Sequence, residues 1–309
     1  MLILYISLNY FFLKKKFFFF LIFSLFISAT YFKDNFKSAF ESYGYDNIYR
    51  VYALKTPENL SFCDEEVPIE FIDVKERLDR ELLVNTYWQS NMLLLIKRAN
   101  RFFPLIEKIL EEEEVPDDFK YLAVIESSLE NVRSPKGAKG IWQIMPSTAR
   151  EYGLEVNSNV DERYNLELST RVACKYLKKA KNKFGSWTLA AAAYNRGISG
   201  ISRNLKRQKV ENYYDLLLGR ETSRYIFRIL AVKEIMKNTD NYGFVFQEKD
   251  LYEPYEIREI EVDTAISNIA YFSKITGTNY KTMKLYNPWL LENHLNNKSR
   301  KKYLIKIPK

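Results

Sequence analysis

A carboxylate set against apolar residues is the first group in this sequence whose setting could do chemistry. Glu126 follows Val124 and Ile125 at the end of an apolar stretch, and a segment carrying Ser134, Pro135, Gly137 and Gly140 comes after it. Burial in such surroundings raises the pKa of a carboxylic acid, which is what a general acid needs near neutrality. By itself a Glu at a helix end is ordinarily a solvated residue, and Gln143, Tyr194 and Asn195 taken singly are ordinary structural polar groups. Other chemistries are short of parts. The chain has one histidine, His294, and two cysteines, Cys63 and Cys174. A Ser-His-Asp triad, a Cys-His nucleophile or a His-rich zinc site therefore has one imidazole to draw on, and two cysteines build no disulfide framework. Carboxylates are the reactive groups that remain.

The composition frames the rest. The chain has 309 residues, 47% hydrophobic and 28% charged, a globular composition with length for about two domains. Lys and Arg number 47 against 39 Asp and Glu, a net charge of +8. That modest surplus suits a polyanionic partner without naming one, and the folded part has no dense basic run of the kind nucleic-acid binding uses. At the N-terminus Lys14, Lys15 and Lys16 precede an apolar run, 17–27, broken only by Ser24, and Ser28, Ala29 and Thr30 follow. This order of charged, apolar and small residues reads as a secretory signal over 1–30. The apolar residues in 2–13 make an uncleaved signal anchor, and with it membrane association, the alternative. Either places the protein in the periplasm or cell envelope.

Residues 31–75 show no sustained period and read as a linker or loosely packed irregular extension. Cys63 is then a linker thiol and Cys174 a thiol in a helix core, although an oxidising compartment permits a disulfide between them. From residue 74 the pattern is helical. Leu78, Leu82, Met92, Leu95, Ile96, Ala99, Phe103, Ile106 and Leu110 recur at three- and four-residue spacing, as one long helix or two joined ones. Asp117 or Asp118 should cap the next helix, which carries Tyr121, Leu122 and Ile125. Residues 131–140 form a loop, and helices follow after Pro146, over 166–184, from Trp187 until Gly197–Gly200 end it, and from about Glu221 to Lys237. Residues 74–243 carry almost no strand signal. Downstream, 257–262 alternates like a strand, Asp263-Thr264 should cap a helix through Phe272, 280–286 is a second helix ended by Asn287-Pro288, and 303–308 is again a strand. His294 reads as a surface residue of this part.

Four ordered blocks carry a resemblance. Glu126-Ser127, Gly137-x-x-Gly140-Ile-Trp142-Gln143-Ile-Met145-Pro146, Ala193-Tyr194-Asn195-x-Gly197 and Glu221-Thr222-x-x-Tyr225 resemble the lytic transglycosylases, most closely the membrane-bound type D subgroup of the soluble-lytic-transglycosylase-like superfamily. The likeness runs from the helix around 98–104 to residue 243. It implies a mainly α, lysozyme-like catalytic domain that cleaves the bond between N-acetylmuramic acid and N-acetylglucosamine in peptidoglycan glycan strands, with no cofactor and no metal. The muramyl C6 hydroxyl, not water, completes that reaction and leaves a 1,6-anhydro end. One carboxylate then suffices, where ordinary glycosidases need two: Glu126 would protonate the leaving oxygen and later deprotonate the hydroxyl. By the same resemblance Ser127 and Gln143 would orient Glu126 or the sugars. Met145, Tyr194, Asn195, Glu221 and Tyr225 would line the groove, and Gly137 and Gly140 would permit a close loop. Trp142 is read as a core residue before a sugar-stacking one. Arg196 departs from the small residue common in its block and is read as solvated, or as reaching a carboxylate of the substrate.

The strand-helix-helix-strand order downstream resembles a LysM module, although the Gly usual before Asp263 is missing. It is a small α+β unit that would bind glycan, its rival role being a cap on the catalytic domain. The expected organisation is thus a signal or anchor over 1–30, an extension over 31–75, a catalytic domain over 76–245 and the LysM-like module over 255–308. A muramidase-type hydrolase on the same fold and a non-catalytic wall-binding protein are the alternative functions.

Overall fold

The computed structural model describes residues 51–309. The signal-like segment 1–30 and the first part of the 31–75 extension lie outside the described residues. Among the described residues no helix is long and apolar enough to cross a membrane.

The later part of the extension is packed, not loose. Ser61–Phe62 (β1) and Glu65–Glu66 (β2) form a two-residue hairpin. Its turn is Cys63-Asp64, both at positive φ, the backbone such hairpins require. Phe62 is fully buried and meets Phe119 edge-on, with ring centroids 5.3 Å apart. Cys63 is therefore a buried thiol and not a linker one. Both cysteines are free, and burial pushes the Cys174 thiol up to about 12.

The helical run after residue 72 is two helices, Ile72–Tyr87 (α1) and Gln89–Glu112 (α2), broken at Trp88. Phe119–Ser127 (α3) follows, then Pro146–Glu151 (α4), Leu166–Phe184 (α5), Trp187–Arg196 (α6), Ile198–Gln208 (α7) and Arg220–Lys237 (α8). α8 is buried along most of its length, with Tyr225, Ile226, Phe227, Ile229, Leu230 and Ala231 in the core. It packs on α1, α3 and α6, whose alanines 190–193 are fully buried.

One expectation fails here and one helix was not expected, each for a local reason. Neither Asp117 nor Asp118 caps α3, because Asp118 already has helical φ and ψ and cannot turn its carboxylate to the first N–H groups. Its Oδ2 instead accepts from Cys63 N at 2.8 Å and from Lys233 Nζ at 2.6 Å, tying the hairpin and α8 to the start of α3. Gly197 ends α6 as expected, turning the chain at φ 81°, but an unexpected helix, α7, starts at the next residue. α7 turns Ile198, Ile201 and Leu205, at i, i+3 and i+7, onto the core, a short apolar period that follows directly on the glycine turn.

The C-terminal part has the expected βααβ order: Ile257–Val262 (β3), Ile269–Ile275 (α9), Tyr280–Tyr286 (α10) and Tyr303–Pro308 (β4), with β3 and β4 antiparallel. Asp263-Thr264 does not cap α9. Ile266 pairs with Leu295 first, and Asn268 is the cap, its Oδ1 accepting from Tyr271 N at 2.9 Å. Buried Asn287 joins α10 to β4, donating to Lys306 O at 2.6 Å and accepting from Lys306 N at 2.8 Å. This small core of Val262, Ile269, Met283, Trp289, Leu290, Ile305 and Ile307 also contains Val160, from the helical part. Around Val160 the seam is polar and fully paired. Asp161 N donates to Trp289 O, Leu291 N to Asn159 O, Asn159 Nδ2 to His294 O, and Tyr303 Oη to Glu155 Oε2. His294 is thus half-buried at a junction and not a free surface residue.

Candidate active site

Glu126 is the last residue but one of α3, a helix buried from Phe119 to Ile125. Ser128 and Leu129 both take positive φ, and Ser128 N closes the helix on Val124 O at 2.8 Å. The chain therefore turns away just past Glu126 and leaves its carboxyl at a helix C-terminus. That end of the helix dipole is negative and disfavours a carboxylate. The carboxyl is partly enclosed, and burial is the largest influence holding its pKa above the ordinary glutamate value. A hydrogen bond from Tyr225 and the positive charge of Arg228 act against this, while the negative charge of Glu221 adds to it.

α8 supplies three of these groups from one face. Glu221, Tyr225 and Arg228 recur at i, i+4 and i+7, which aligns them along the helix. Tyr225 Oη donates to Glu126 Oε1, and Arg228 Nη2 donates to Ile125 O at 2.8 Å. Burial, then the charge of Glu126, holds the Tyr225 phenol well above its usual range, so it stays a donor.

Asn195 connects α6 to the start of α8. Its Nδ2 donates to Glu221 Oε1 at 3.0 Å and its Oδ1 accepts from Thr222 Oγ1 at 2.8 Å. Tyr194 Oη donates to Trp142 O at 2.7 Å, with the ring edge-on to Tyr176. Trp142 itself is fully buried and donates to Thr170 Oγ1 at 2.7 Å, as a core residue does.

Of the two roles expected of Ser127 and Gln143, orienting Glu126 or orienting the sugars, the first is not met. Neither hydrogen-bonds Glu126. Ser127 Oγ donates to Ile141 O at 2.7 Å, and Gln143 Nε2 donates to Gly140 O at 2.8 Å and Val132 O at 3.0 Å. Both side chains secure the 131–144 loop, adding to the backbone bonds that Val132 O and Gly140 O already accept from Gly140 N and Gln143 N. Gln143, itself at φ 47°, keeps Oε1 unpaired among the described residues. Met145 is 39% exposed. With Gln143, Tyr194, Asn195 and Arg196 it lines a cavity of about 260 Å³. Arg196 is exposed and has no hydrogen-bond or ion-pair partner among the described residues. A second cavity, about 250 Å³, is lined by Ile125, Ser128, Glu221, Arg224 and Arg228. The Asn195–Glu221 hydrogen bond joins the rims of the two, with Glu126 beside it.

The glycine loop is held from behind. A Cβ on Gly140 would stand 2.0 Å from Arg163 O, so only glycine fits the approach. Buried Arg163 donates to Gly137 O at 2.9 Å and Ile144 O at 3.2 Å, and pairs with Asp161 at 2.8 Å. Arg228, Thr222 and Arg163 were not foreseen as part of the site. Arg228 had a signal in its spacing from Glu221 and Tyr225, and Thr222 in its place in the fourth motif block.

Comparison with known proteins shows what the two parts of the chain are similar to. Residues 104–217 match the transglycosylase SLT domain, and residues 258–309 match the soluble lytic transglycosylase C-terminal LysM-like domain. The resemblance read from the motifs is thereby shown for both parts of the chain. The membrane-bound lytic murein transglycosylase D of Escherichia coli (strain K12) is 30% identical over 196 residues, covering 62% of this chain and 43% of that relative. The chain thus spans less than half the length of the curated relative it matches. Two solved structures show slighter likenesses. The soluble lytic transglycosylase SLT70 of Escherichia coli gives a TM-score of 0.38 at 21% identity, over 49% of this chain and 26% of that one. An inactive mutant of the lytic transglycosylase Slt of Pseudomonas aeruginosa gives 0.35 at 19% identity, over 49% and 26%.

Proposed function

Since the chain joins a transglycosylase SLT domain to a LysM-like domain of the soluble lytic transglycosylase type, we propose that it cleaves the N-acetylmuramic acid–N-acetylglucosamine bond of peptidoglycan in the cell envelope and leaves 1,6-anhydro ends. The observation that carries this reading is the Glu126 carboxyl, its pKa raised by burial and its Oε1 held by the Tyr225 hydroxyl.

Glu126 donates its proton to the glycosidic oxygen as the bond from that oxygen to the muramyl C1 breaks. The carboxylate this leaves is stabilised by the Tyr225 hydrogen bond and by Arg228. It then takes the proton of the muramyl C6 hydroxyl as O6 bonds to C1, and the acid is restored. No water is consumed, and one carboxyl serves both steps. The second carboxylate nearby, Glu221, is engaged by Asn195. Tyr194 and Met145 offer the sugar an aromatic and an apolar surface, and the unpaired Oε1 of Gln143 offers an acceptor. Arg196 extends a free guanidinium at the rim, suited to a lactyl or peptide carboxylate.

Incubating the full chain with purified sacculi and weighing the released muropeptides tests the reading. Products one water lighter than hydrolysis gives are expected, and products of full hydrolytic mass would make the enzyme a muramidase. Glu126→Gln keeps the shape of the side chain and removes its proton, so release should fall by at least ~10²-fold. Near-native turnover in that variant would remove Glu126 from the mechanism.

A further inference from the structure

Trp88 is 60% exposed, whereas Trp142 and Trp289 are buried and Trp187 is partly covered. It sits at the break between α1 and α2, with φ −91° and ψ 60°, in neither helix. The break turns the indole onto the rim of the 250 Å³ cavity that also holds Asn85, Asn91, Glu221, Arg224 and Arg228. This volume is below the roughly 300 Å³ at which drug-sized pockets begin, and suits a single sugar ring. The cavity is not an accident of loose side chains. Arg224 is fixed by buried Glu81 through Nε at 2.6 Å and Nη2 at 3.1 Å, and Arg228 by Ile125 O at 2.8 Å. Its apolar wall is Leu95, Val124 and Ile125. Asn91 is half-buried at the opening, and its amide has no hydrogen-bond partner among the described residues. Trp88 and Asn91 both precede the 104–217 segment that matches the transglycosylase domain.

We propose that this cavity is a saccharide-binding site for a hexosamine unit of the glycan strand, with Trp88 as its stacking surface. It rests on the reading that the groove takes a glycan strand. A pyranose ring presents an apolar C–H face that an indole covers well, and its rim of hydroxyl and acetamido groups needs both donors and acceptors. The Asn91 amide offers both, and the two anchored guanidinium groups add donors in fixed positions. The site is continuous with the reacting centre, because Ile125 and Ser128 of its wall bracket Glu126 in the chain and Glu221 carries on to Asn195. The helix pair ahead of the transglycosylase domain thereby lengthens the strand-binding track.

Trp88 is its own reporter. The test uses the full chain carrying Glu126→Gln, titrated with the N-acetylglucosamine tetramer while tryptophan emission is followed. A blue shift is expected on binding, since the most exposed of the four indoles becomes covered. Adding Trp88→Phe should abolish the shift, and adding Trp88→Ala should weaken binding about tenfold with an unchanged melting temperature. In the otherwise native chain Trp88→Ala should raise KM on long glycan strands about tenfold and leave kcat in place. Unchanged affinity and KM in Trp88→Ala, or a shift that survives Trp88→Phe, would overturn the proposal while cleavage of sacculi still stands. Absence of tetramer binding in Glu126→Gln together with absence of cleavage by the native chain would overturn the functional reading along with it.

Discussion

The proton on Glu126 is contested by two sets of neighbours. Burial and Glu221 favour its retention, and Tyr225 and Arg228 favour its loss. The balance lies toward retention, so the acid form persists to a higher pH than in an ordinary glutamate, and activity should decline as pH rises through that raised value. Tyr225→Phe removes a hydrogen bond that stabilises the carboxylate. The folded pKa then rises further, and the descending limb of the profile of kcat/KM against pH should move to higher pH. At the same time kcat should fall by about 10-fold or more, because the carboxylate formed in the first step has lost its donor. An unmoved limb would mean that the Tyr225 bond does not act on the group that titrates. The enclosure of the Glu126 carboxyl was suggested by its apolar neighbours, but Tyr225's bond to it was not, since residues 99 positions apart meet only through the packing of α8 on α3.

The segments that hold the site are a helix end, a glycine loop and one helix face. In the loop, Gly137 and Gly140 look alike in the sequence and both take positive φ, 87° and 79°. Their surroundings differ: Gly137 has open space, whereas Gly140 lies against Arg163 O. Gly137→Ala should cost only the backbone strain, about 1 kcal/mol. Gly140→Ala adds a backbone clash that no rotamer relieves, and should cost about 3 kcal/mol or more and reduce cleavage with it. Chemical denaturation of the two variants checks the contrast, and equal losses would remove the clash as the cause. The helices around this loop were readable wherever a buried face repeats with helical period, as in α2, α5 and α8. Trp88 and α7 were not, because a break inside a continuous apolar period leaves no mark and the short apolar period of α7, Ile198, Ile201 and Leu205, follows directly on glycines that read as a helix stop. Ser127 and Gln143 were placed in the site by resemblance, yet their hydrogen bonds run to the loop, whose carbonyls could not be located from the chain order.

At the scale of the whole molecule the C-terminal βααβ unit shares its core with the helical part. Val160 packs inside it, and Lys301 reaches back to Glu162 and to Glu155 at 3.1 Å. A tethered module would leave the melting temperature of its neighbour alone. Here, removing residues 255–309 uncovers Val160, strands the partners of Asn159 and loosens the segment whose Arg163 braces the glycine loop. The melting temperature should fall by on the order of 5 °C, and cleavage of short soluble glycans should fall as well. Unchanged melting and turnover would mean the two parts stand independently. The connection between them, 243–256, is a different matter. Val245 in it is 84% exposed, while Arg101 is held between the rings of Tyr252 and Tyr255 at 5.1 and 4.5 Å. A protease that nicks the chain at Val245 should therefore cut one polypeptide into two without separating them. The fragments should travel through a sizing column as a single particle and part only in denaturant.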